Sequence, residues 1–315
     1  MIILVTGGCG FIGSNFINRV LNENDDATVI NIDKLDYCSD IKNVTAVNNY
    51  VLIKGDINDK ELVLNTLNKY DIEYIVHFAA QTHVDNSFES SIDYTKDNIL
   101  GTHTLLECCR LYKKIKKFIH ISTDEVYGEI DLNDSGCCEK SLLNPTNPYA
   151  ATKAGAEFIV RSYYHSFKLP IVIIRANNVY GRNQFPEKII PKFIMLLKNN
   201  KKLTIQGKGN TRRNFIFVDD AVRAVRLVLE KGELNTIYNI GTNNEYSVLE
   251  IGKMLLHLIK GQQYNIEDYL EYIPDRNFND FRYCIDSTRL QNLGWKEEKN
   301  FDDGLKETVE WYMNK

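Results

Sequence analysis

Ile2-Ile3-Leu4-Val5-Thr6-Gly7-Gly8-Cys9-Gly10-Phe11-Ile12-Gly13 begins as a short apolar run and passes at once into a glycine-rich turn. The run has the length and β-branching of a strand buried on both faces. Gly8, Gly10 and Gly13 have the spacing G-x-G-x-x-G, and Gly7 adds Gly7-x-x-Gly10-x-x-Gly13. Between a strand and a helix, such glycines permit a tight turn and let backbone N–H groups at the positive end of the helix approach a pyrophosphate. The spacing alone is a weak signal, and its place directly after a strand makes it meaningful. Gly7, Gly10, Phe11, Ile12 and Gly13 are therefore the expected contacts of a dinucleotide.

Outward from this turn, short β-branched runs at 2–6, 28–32, 74–78 and 118–122 alternate with amphipathic segments at 11–21, 61–67 and 99–111. That rhythm predicts an α/β chain with a doubly wound parallel sheet of Rossmann type. A helix over 148–167 and a strand over 171–174 follow, and then Pro186 and Pro191 accompany a new helical segment where a second lobe should begin. The chain is expected to return to the first domain around 215–230 and 238–240, and to leave it again for helices at 248–259 and 301–312. The expected division is a dinucleotide-binding domain over 1–176 with a returning segment at about 215–241. A smaller, discontinuous substrate-binding lobe takes 177–214 and 242–315.

With 315 residues, 43% of them hydrophobic and 25% charged, and a net charge of -4, the composition is that of an ordinary globular protein without a basic stripe for nucleic acid. Met1 leads straight into the apolar run, without the charged region of a signal peptide, and no stretch approaches the roughly 18 apolar residues of a spanning helix. A cytoplasmic protein with no membrane partner is expected. The seven cysteines include the adjacent pairs Cys108/Cys109 and Cys137/Cys138 but no Cys-x-x-Cys spacing, so they read as free thiols with no metal site. The basic run from Lys113 to Lys117 reads as the solvated end of a helix.

Twenty residues after Gly13, at the end of the second strand, stands Asp33. A carboxylate there can accept hydrogen bonds from both hydroxyls of an adenosine ribose and would repel a 2′-phosphate, which favours NAD over NADP. Lys34 next to it leaves some room for the other cofactor. Asp56-Ile57 follows the third strand, where an acidic side chain either meets the adenine amino group or caps the next helix. Ala79-Ala80 after the fourth strand suit a chain passing close to a cofactor, and equally suit helix packing.

Tyr149-Ala-Ala-Thr-Lys153 places a phenol and an ammonium four residues apart on one face of a helix that Pro148 can open. An unperturbed tyrosine, with a pKa of about 10, is ionised to about one part in a thousand at neutral pH. A nearby Lys⁺ and a positively charged nicotinamide ring favour the phenolate, about 1.4 kcal/mol for each unit of depression. The implied chemistry removes a hydroxyl proton while hydride leaves the same carbon. Ile121-Ser122-Thr123-Asp124-Glu125 closes the fifth strand at the cofactor edge of the sheet. Thr123 can bond the reacting oxygen. Two carboxyls exceed what a simple dehydrogenase needs, but an elimination needs a base for a carbon-bound proton and an acid for a departing hydroxyl.

Together these motifs resemble the extended short-chain dehydrogenases/reductases, and within them the NDP-glucose 4,6-dehydratases. The resemblance runs through His77-Phe-Ala-Ala-Gln-Thr-His-Val-Asp85, Thr123-Asp-Glu-Val-Tyr-Gly128, Asn147-Pro-Tyr-Ala-Ala-Thr-Lys153 and Asn177-Asn-Val-Tyr-Gly181 to Arg213-Asn-Phe-Ile-Phe-Val-Asp-Asp220 and Asp275-Arg-Asn-Phe-Asn-Asp280. It implies that NAD takes hydride from sugar C4 while Tyr149 accepts the O4 proton, supported by Thr123 and Lys153. Glu125 would then remove the C5 proton, Asp124 would protonate the C6 hydroxyl, and hydride would return to C6. It also implies that Asn178, Lys188, Arg213 and Arg276 hold the nucleotide diphosphate, and that the protein is a homodimer through helices in the 99–111 and 149–167 regions.

Many bacterial dTDP-glucose enzymes resemble Asp-Arg-Pro-Gly-His-Asp where this chain has Asp275-Arg276-Asn277-Phe278-Asn279-Asp280. The Phe-Asn-Asp ending, together with Asn183-Gln-Phe-Pro-Glu-Lys-Ile-Ile-Pro-Lys192, is more similar to the dehydratase part of eukaryotic UDP-rhamnose synthases, so the expected substrate is UDP-glucose, with dTDP-glucose the alternative. A UDP-hexose 4-epimerase or UDP-glucuronate decarboxylase would also begin by oxidising C4, but needs no Asp124-Glu125 pair. A non-catalytic NAD-binding protein would be expected to lack at least one of Thr123, Tyr149 and Lys153.

Overall fold

The computed structural model describes residues 1–46, 48–261, 264–276 and 278–315. Its frame is a seven-stranded sheet, parallel throughout, made of β1 (Ile2–Thr6), β2 (Thr28–Asp33), β3 (Tyr50–Lys54), β4 (Tyr74–His77), β5 (Lys117–Thr123), β6 (Ile171–Ala176) and a later strand, Thr236–Ile240. From one edge the order is β3-β2-β1-β4-β5-β6 and then Thr236–Ile240. The strands are near-continuous apolar runs because both faces are covered. Helices α1 (Phe11–Glu23) and α2 (Lys60–Lys69) follow β1 and β3 to opposite faces, and the order reverses between β1 and β4. A crevice at that reversal, outside the strands' carboxyl ends, is where a doubly wound sheet binds its ligand.

After β4 come α3 (Val84–Glu89) and α4 (Ser91–Tyr94), and then a π-helical turn over Thr95–Leu100 that runs into α5 (Gly101–Tyr112). The helix expected from residue 99 therefore begins as a widened turn, a local irregularity that often accompanies functional sites. α6 (Pro148–Phe167) starts at Asn147, whose side chain accepts the Ala150 N–H, with Pro148 in the first turn where its missing N–H costs nothing.

Beyond β6 the chain builds a second lobe from β7 (Asn178–Tyr180), α7 (Ile189–Lys198), β8 (Leu203–Gln206) and β9 (Arg212–Phe217). It returns through α8 (Val218–Lys231), which packs against α1, to β10 (Thr236–Ile240) at the sheet edge. The return begins later than the sequence suggested, because Phe215–Phe217 pair with β7 in a three-stranded sheet completed by β11 (Glu245–Ser247). α9 (Val248–Lys260) opens on a capping box between Ser247 and Glu250. β12 (Leu270–Ile273) pairs with β8, and α10 (Thr288–Asn292) and α11 (Phe301–Asn314) close the chain.

The Lys113–Lys117 run is not all solvated. Lys114 and Lys116 pair with Asp71 and Glu73 at the surface. Lys117 is buried and donates to the carbonyls of Val228, Leu229 and Gly232 at 2.8 to 3.1 Å, where it neutralises the negative end of α8. Among the described residues no helix is long and apolar enough to cross a membrane.

Candidate active site

A cleft of about 430 Å³ runs along the carboxyl edge of the sheet into the second lobe, and every site residue expected from the sequence lines it. At one end are Gly7, Gly10, Phe11, Ile12 and Gly13. α1 starts at Gly10 with no side-chain cap, so its first-turn N–H groups are left free for an anion. Gly7 has φ +71°, and a Cβ on it would lie 2.7 Å from the Ala79 backbone, while a Cβ on Gly13 would lie 2.5 Å from the Gly7 carbonyl oxygen. Side chains at these positions would push the loop out of the crevice. Ala79 and Ala80 lie in the loop after β4 rather than in a helix, which removes the helix-packing reading and leaves close approach of backbone to backbone.

Asp33, buried at the end of β2, accepts the N–H groups of Cys9 and Leu35, each at 2.8 Å. These bonds fix a carboxylate at the cleft wall. Lys34 is held by Asp97 and Asp36 and so is not free to receive a phosphate beside Asp33. Asp56 is not the cap of α2: Asp59 accepts the Leu62 N–H in that role, while Asp56 accepts from Asn58 and lines the cleft with Ile57. An uncapped helix start, a glycine cradle and a fixed acid at the second strand fit the pyrophosphate and ribose of a dinucleotide.

The reactive end lies where β5 meets α6. Lys153, buried one turn beyond Tyr149, donates to the Ile121 carbonyl at 2.7 Å, and burial pushes its ammonium down to about 8. Tyr149 is also buried; that burial and the charge of Glu125 raise its phenol, with Thr123 acting in the opposite sense. With only the chain's own groups present, Tyr149 is therefore held as a neutral phenol. Burial and the neighbouring Glu125 push Asp124 up to about 7, so near neutrality this carboxyl can carry a proton. Asp124 accepts from Thr123 Oγ1 at 3.2 Å and from Asn177 Nδ2 at 2.8 Å, whereas Glu125 accepts from Asn147 Nδ2 at 3.1 Å. Adjacent in sequence, the two carboxyls have separate donors.

At the far end, Lys188 Nζ donates to the Thr82 carbonyl at 2.7 Å and Arg276 donates to Gln206 Oε1 at 2.9 Å. Arg213 lies 4.5 Å from the Tyr283 ring centroid and donates to the Arg212 carbonyl at 2.8 Å. Asn178 Nδ2 and Thr204 Oγ1 are buried along this wall with no partner among the described residues. Cations and unsatisfied polar atoms together suit a polar anion. Asn277 lies outside the described residues, while Phe278, Asn279 and Asp280 line the cleft.

The family model for GDP-mannose 4,6 dehydratase matches residues 4–308. The chain belongs to that family. It is 47% identical to a dTDP-D-glucose 4,6-dehydratase of Dictyostelium discoideum over 99% of this chain and 81% of that one. It is 48% identical to a trifunctional UDP-glucose 4,6-dehydratase/UDP-4-keto-6-deoxy-D-glucose 3,5-epimerase/UDP-4-keto-L-rhamnose-reductase of Arabidopsis thaliana, over 98% of this chain and 47% of the plant protein, so it spans about half of that relative. The crystal structure of a dTDP-glucose 4,6-dehydratase from Streptomyces venezuelae with NAD and TYD bound superposes with a TM-score of 0.94 at 36% identity, covering 100% of this chain and 97% of that one. These relatives are hydro-lyases, and the chain is an enzyme of this nucleotide-sugar dehydratase class.

Three asparagines of the dehydratase escaped the sequence reading as site residues. Asn147 and Asn177 stand inside quoted motifs, but nothing in those motifs says that they hold Glu125 and Asp124. Asn98, in the π-helical turn, accepts the Gln81 N–H and donates to the Gln81 carbonyl and Thr152 Oγ1, tying the cleft loop to α6. No periodicity or spacing announces it.

Proposed function

We propose that this enzyme is an NAD-dependent NDP-glucose 4,6-dehydratase that converts UDP-glucose to UDP-4-keto-6-deoxy-glucose and water. The observation that carries the reading is the Asp124-Glu125 pair, its two carboxyls held by different donors beside the buried Tyr149 and Lys153 in one cleft. Bound NAD supplies the hydride acceptor for C4 and the donor for C6. Tyr149, in the phenolate form that Lys153 on the Ile121 carbonyl and the positive charge of a bound nicotinamide would favour, accepts the O4 proton, and Thr123 bonds O4. Glu125 takes the C5 proton and Asp124 gives its proton to the C6 hydroxyl. Asp33 and the α1 start hold the dinucleotide; Asn178, Lys188, Arg213 and Arg276 hold the diphosphate. The first role falls to residues 1–176 with the return through α8 and β10 over 218–241, the second to 177–217 and 242–315.

UDP-glucose is favoured by the likeness to the plant enzymes and by the Phe278-Asn279-Asp280 ending. The dTDP-glucose reading draws on the Dictyostelium and Streptomyces relatives, and the bases differ by one methyl, worth only about 1–3 kcal/mol in a pocket. Incubation with each nucleotide sugar, followed by mass spectrometry and proton NMR, is expected to show loss of one water and a new C6 methyl signal. An unchanged mass with altered C4 stereochemistry would overturn the reading in favour of an epimerase.

The same proposal includes a cytoplasmic homodimer, its location supported by seven free cysteines. Leu100 and Leu111, and Phe158 and Phe167 on α6, are 42% to 58% exposed in the two regions expected to pair. Apolar side chains gathered on neighbouring helices suit a self-complementary contact. Sedimentation at working concentration should give twice the chain mass, falling to one chain mass for Phe158→Glu; a monomeric unmodified protein would remove this part.

A further inference from the structure

Asn177 follows β6 directly, is 4% exposed, and is fixed at both ends of its carboxamide. The Thr242 N–H donates to Asn177 Oδ1 at 3.1 Å, and a backbone N–H can only donate. The amide orientation is thereby set by the main chain, and Nδ2 is the atom facing Asp124 Oδ2 at 2.8 Å. Asn177 Oδ1 lies directly against Gly241, where a Cβ would come within 2.7 Å of it. The Asn177 N–H is itself tied to the Ile240 carbonyl at 3.0 Å.

The two oxygens of Asp124 consequently differ. Oδ2 faces a group that can only donate. Oδ1 faces Thr123 Oγ1 at 3.2 Å, a hydroxyl able to donate or accept. The hydroxyl oxygen of a carboxylic acid is the poorer acceptor, so the acid form is best accommodated with its proton on Oδ1. We propose that Asn177 is a positioning residue for the elimination: it keeps Oδ2 of Asp124 as an acceptor, so that the acid delivers its proton from Oδ1.

This inference rests on the dehydratase reading. In that reaction the electron pair of the C5–H bond becomes the C5–C6 double bond and its proton goes to Glu125. The C6–O bond breaks, and the Oδ1 proton joins the departing hydroxyl as water. Asp124 is left ionised, the form to which the Asn177 amide donates. Thr123 regains an ionised acceptor at the same moment, so the hydroxyl that bonds O4 senses the state of the acid. The other charged or titrating groups around Asp124 are Glu125 on its own turn, Arg213 from β9, Tyr149 from α6 and Cys284 from the segment before Ile285.

The test combines a direct titration with a kinetic split. In protein carrying ¹³C-labelled aspartate, the Asp124 carboxyl signal is identified by its loss in Asp124→Asn. Asn177→Ala should raise the Asp124 midpoint by about one pH unit, the scale of a lost hydrogen bond to a charged group. The alkaline limb of the dehydration profile should move upward with it, and kcat for water loss should fall about tenfold while C4 oxidation falls less. Thermal unfolding checks that the variant is folded; should it not be, the same titration on Asn177→Ser decides. An unmoved midpoint and limb in a folded variant, or parallel loss of both steps, overturns the assignment. If the unsubstituted enzyme leaves both UDP-glucose and dTDP-glucose unchanged, the reading of the reaction fails, while the titration still decides the role of Asn177.

Discussion

Asp124→Asn is expected to slow water loss by about 10²–10⁴-fold, the usual contribution of a placed general acid or base, while C4 oxidation persists. The amide keeps the shape of the acid and can still accept from Asn177 Nδ2 while donating to Thr123 Oγ1, so the pocket should stay folded. What disappears is the proton. Glu125→Gln should reach a similar rate from the other side, because the amide accepts from Asn147 Nδ2 but cannot take the C5 proton. Single-turnover absorbance should show reduced nicotinamide accumulating in both variants, with little product lacking one water. Full dehydration by the double variant would sink the assignment of both roles.

The pH profile carries a sign that follows from the same residue. Burial and Glu125 push Asp124 up to about 7, so its acid form predominates below that pH and is lost above it. Dehydration by the unsubstituted enzyme should fall as pH rises through about 7. In Asp124→Asn that limb should vanish.

Arg175→Met should cost about 3–5 kcal/mol of stability, the range for breaking a buried ion pair by removing one partner. Arg175 is 1% exposed and donates to Glu157 through Nε at 3.0 and 3.2 Å and through Nη2 at 2.6 Å. Its Nη1 donates to the Tyr127 hydroxyl at 2.7 Å, which donates on to Asn239 Oδ1 at 2.8 Å. Without the guanidinium, the fully buried Glu157 carboxylate has lost its counter-charge. Replacing both partners, Arg175→Met with Glu157→Leu, should recover most of the loss, because an apolar pair of similar volume carries no desolvation penalty. Urea unfolding of the three proteins measures this, and a single variant losing under about 1 kcal/mol would show that the pair does not hold the fold. The network joins α6, which carries Tyr149 and Lys153, to the turn that carries Asp124 and Glu125. The single variant should therefore lose activity before it unfolds.

The elements surrounding the cofactor cleft were legible because their signals are local. A β-branched run, a glycine turn and a helical repeat each report the conformation of their own few residues, and the Tyr149/Lys153 spacing places both groups on one helical face. Signals failed where the answer depended on a distant partner. Phe215–Phe217 reads as a strand in either sheet, and only pairing with β7 and β11 assigns it to the second lobe. Lys117 reads as one more basic residue until α8 brings three carbonyls to its ammonium.

By itself the sequence determined the alternating α/β order, the glycine loop with Asp33, and the chemistry-bearing side chains at the end of β5 and the start of α6, since these are fixed by composition and spacing along the chain. Only the tertiary structure decided that Asp124 meets Asn177, that Glu125 meets Asn147, and that Arg175 lies buried on Glu157. The crossovers of a parallel sheet bring residues far apart in the chain within hydrogen-bond distance, and a buried side chain's protonation is set by those neighbours rather than by its own identity.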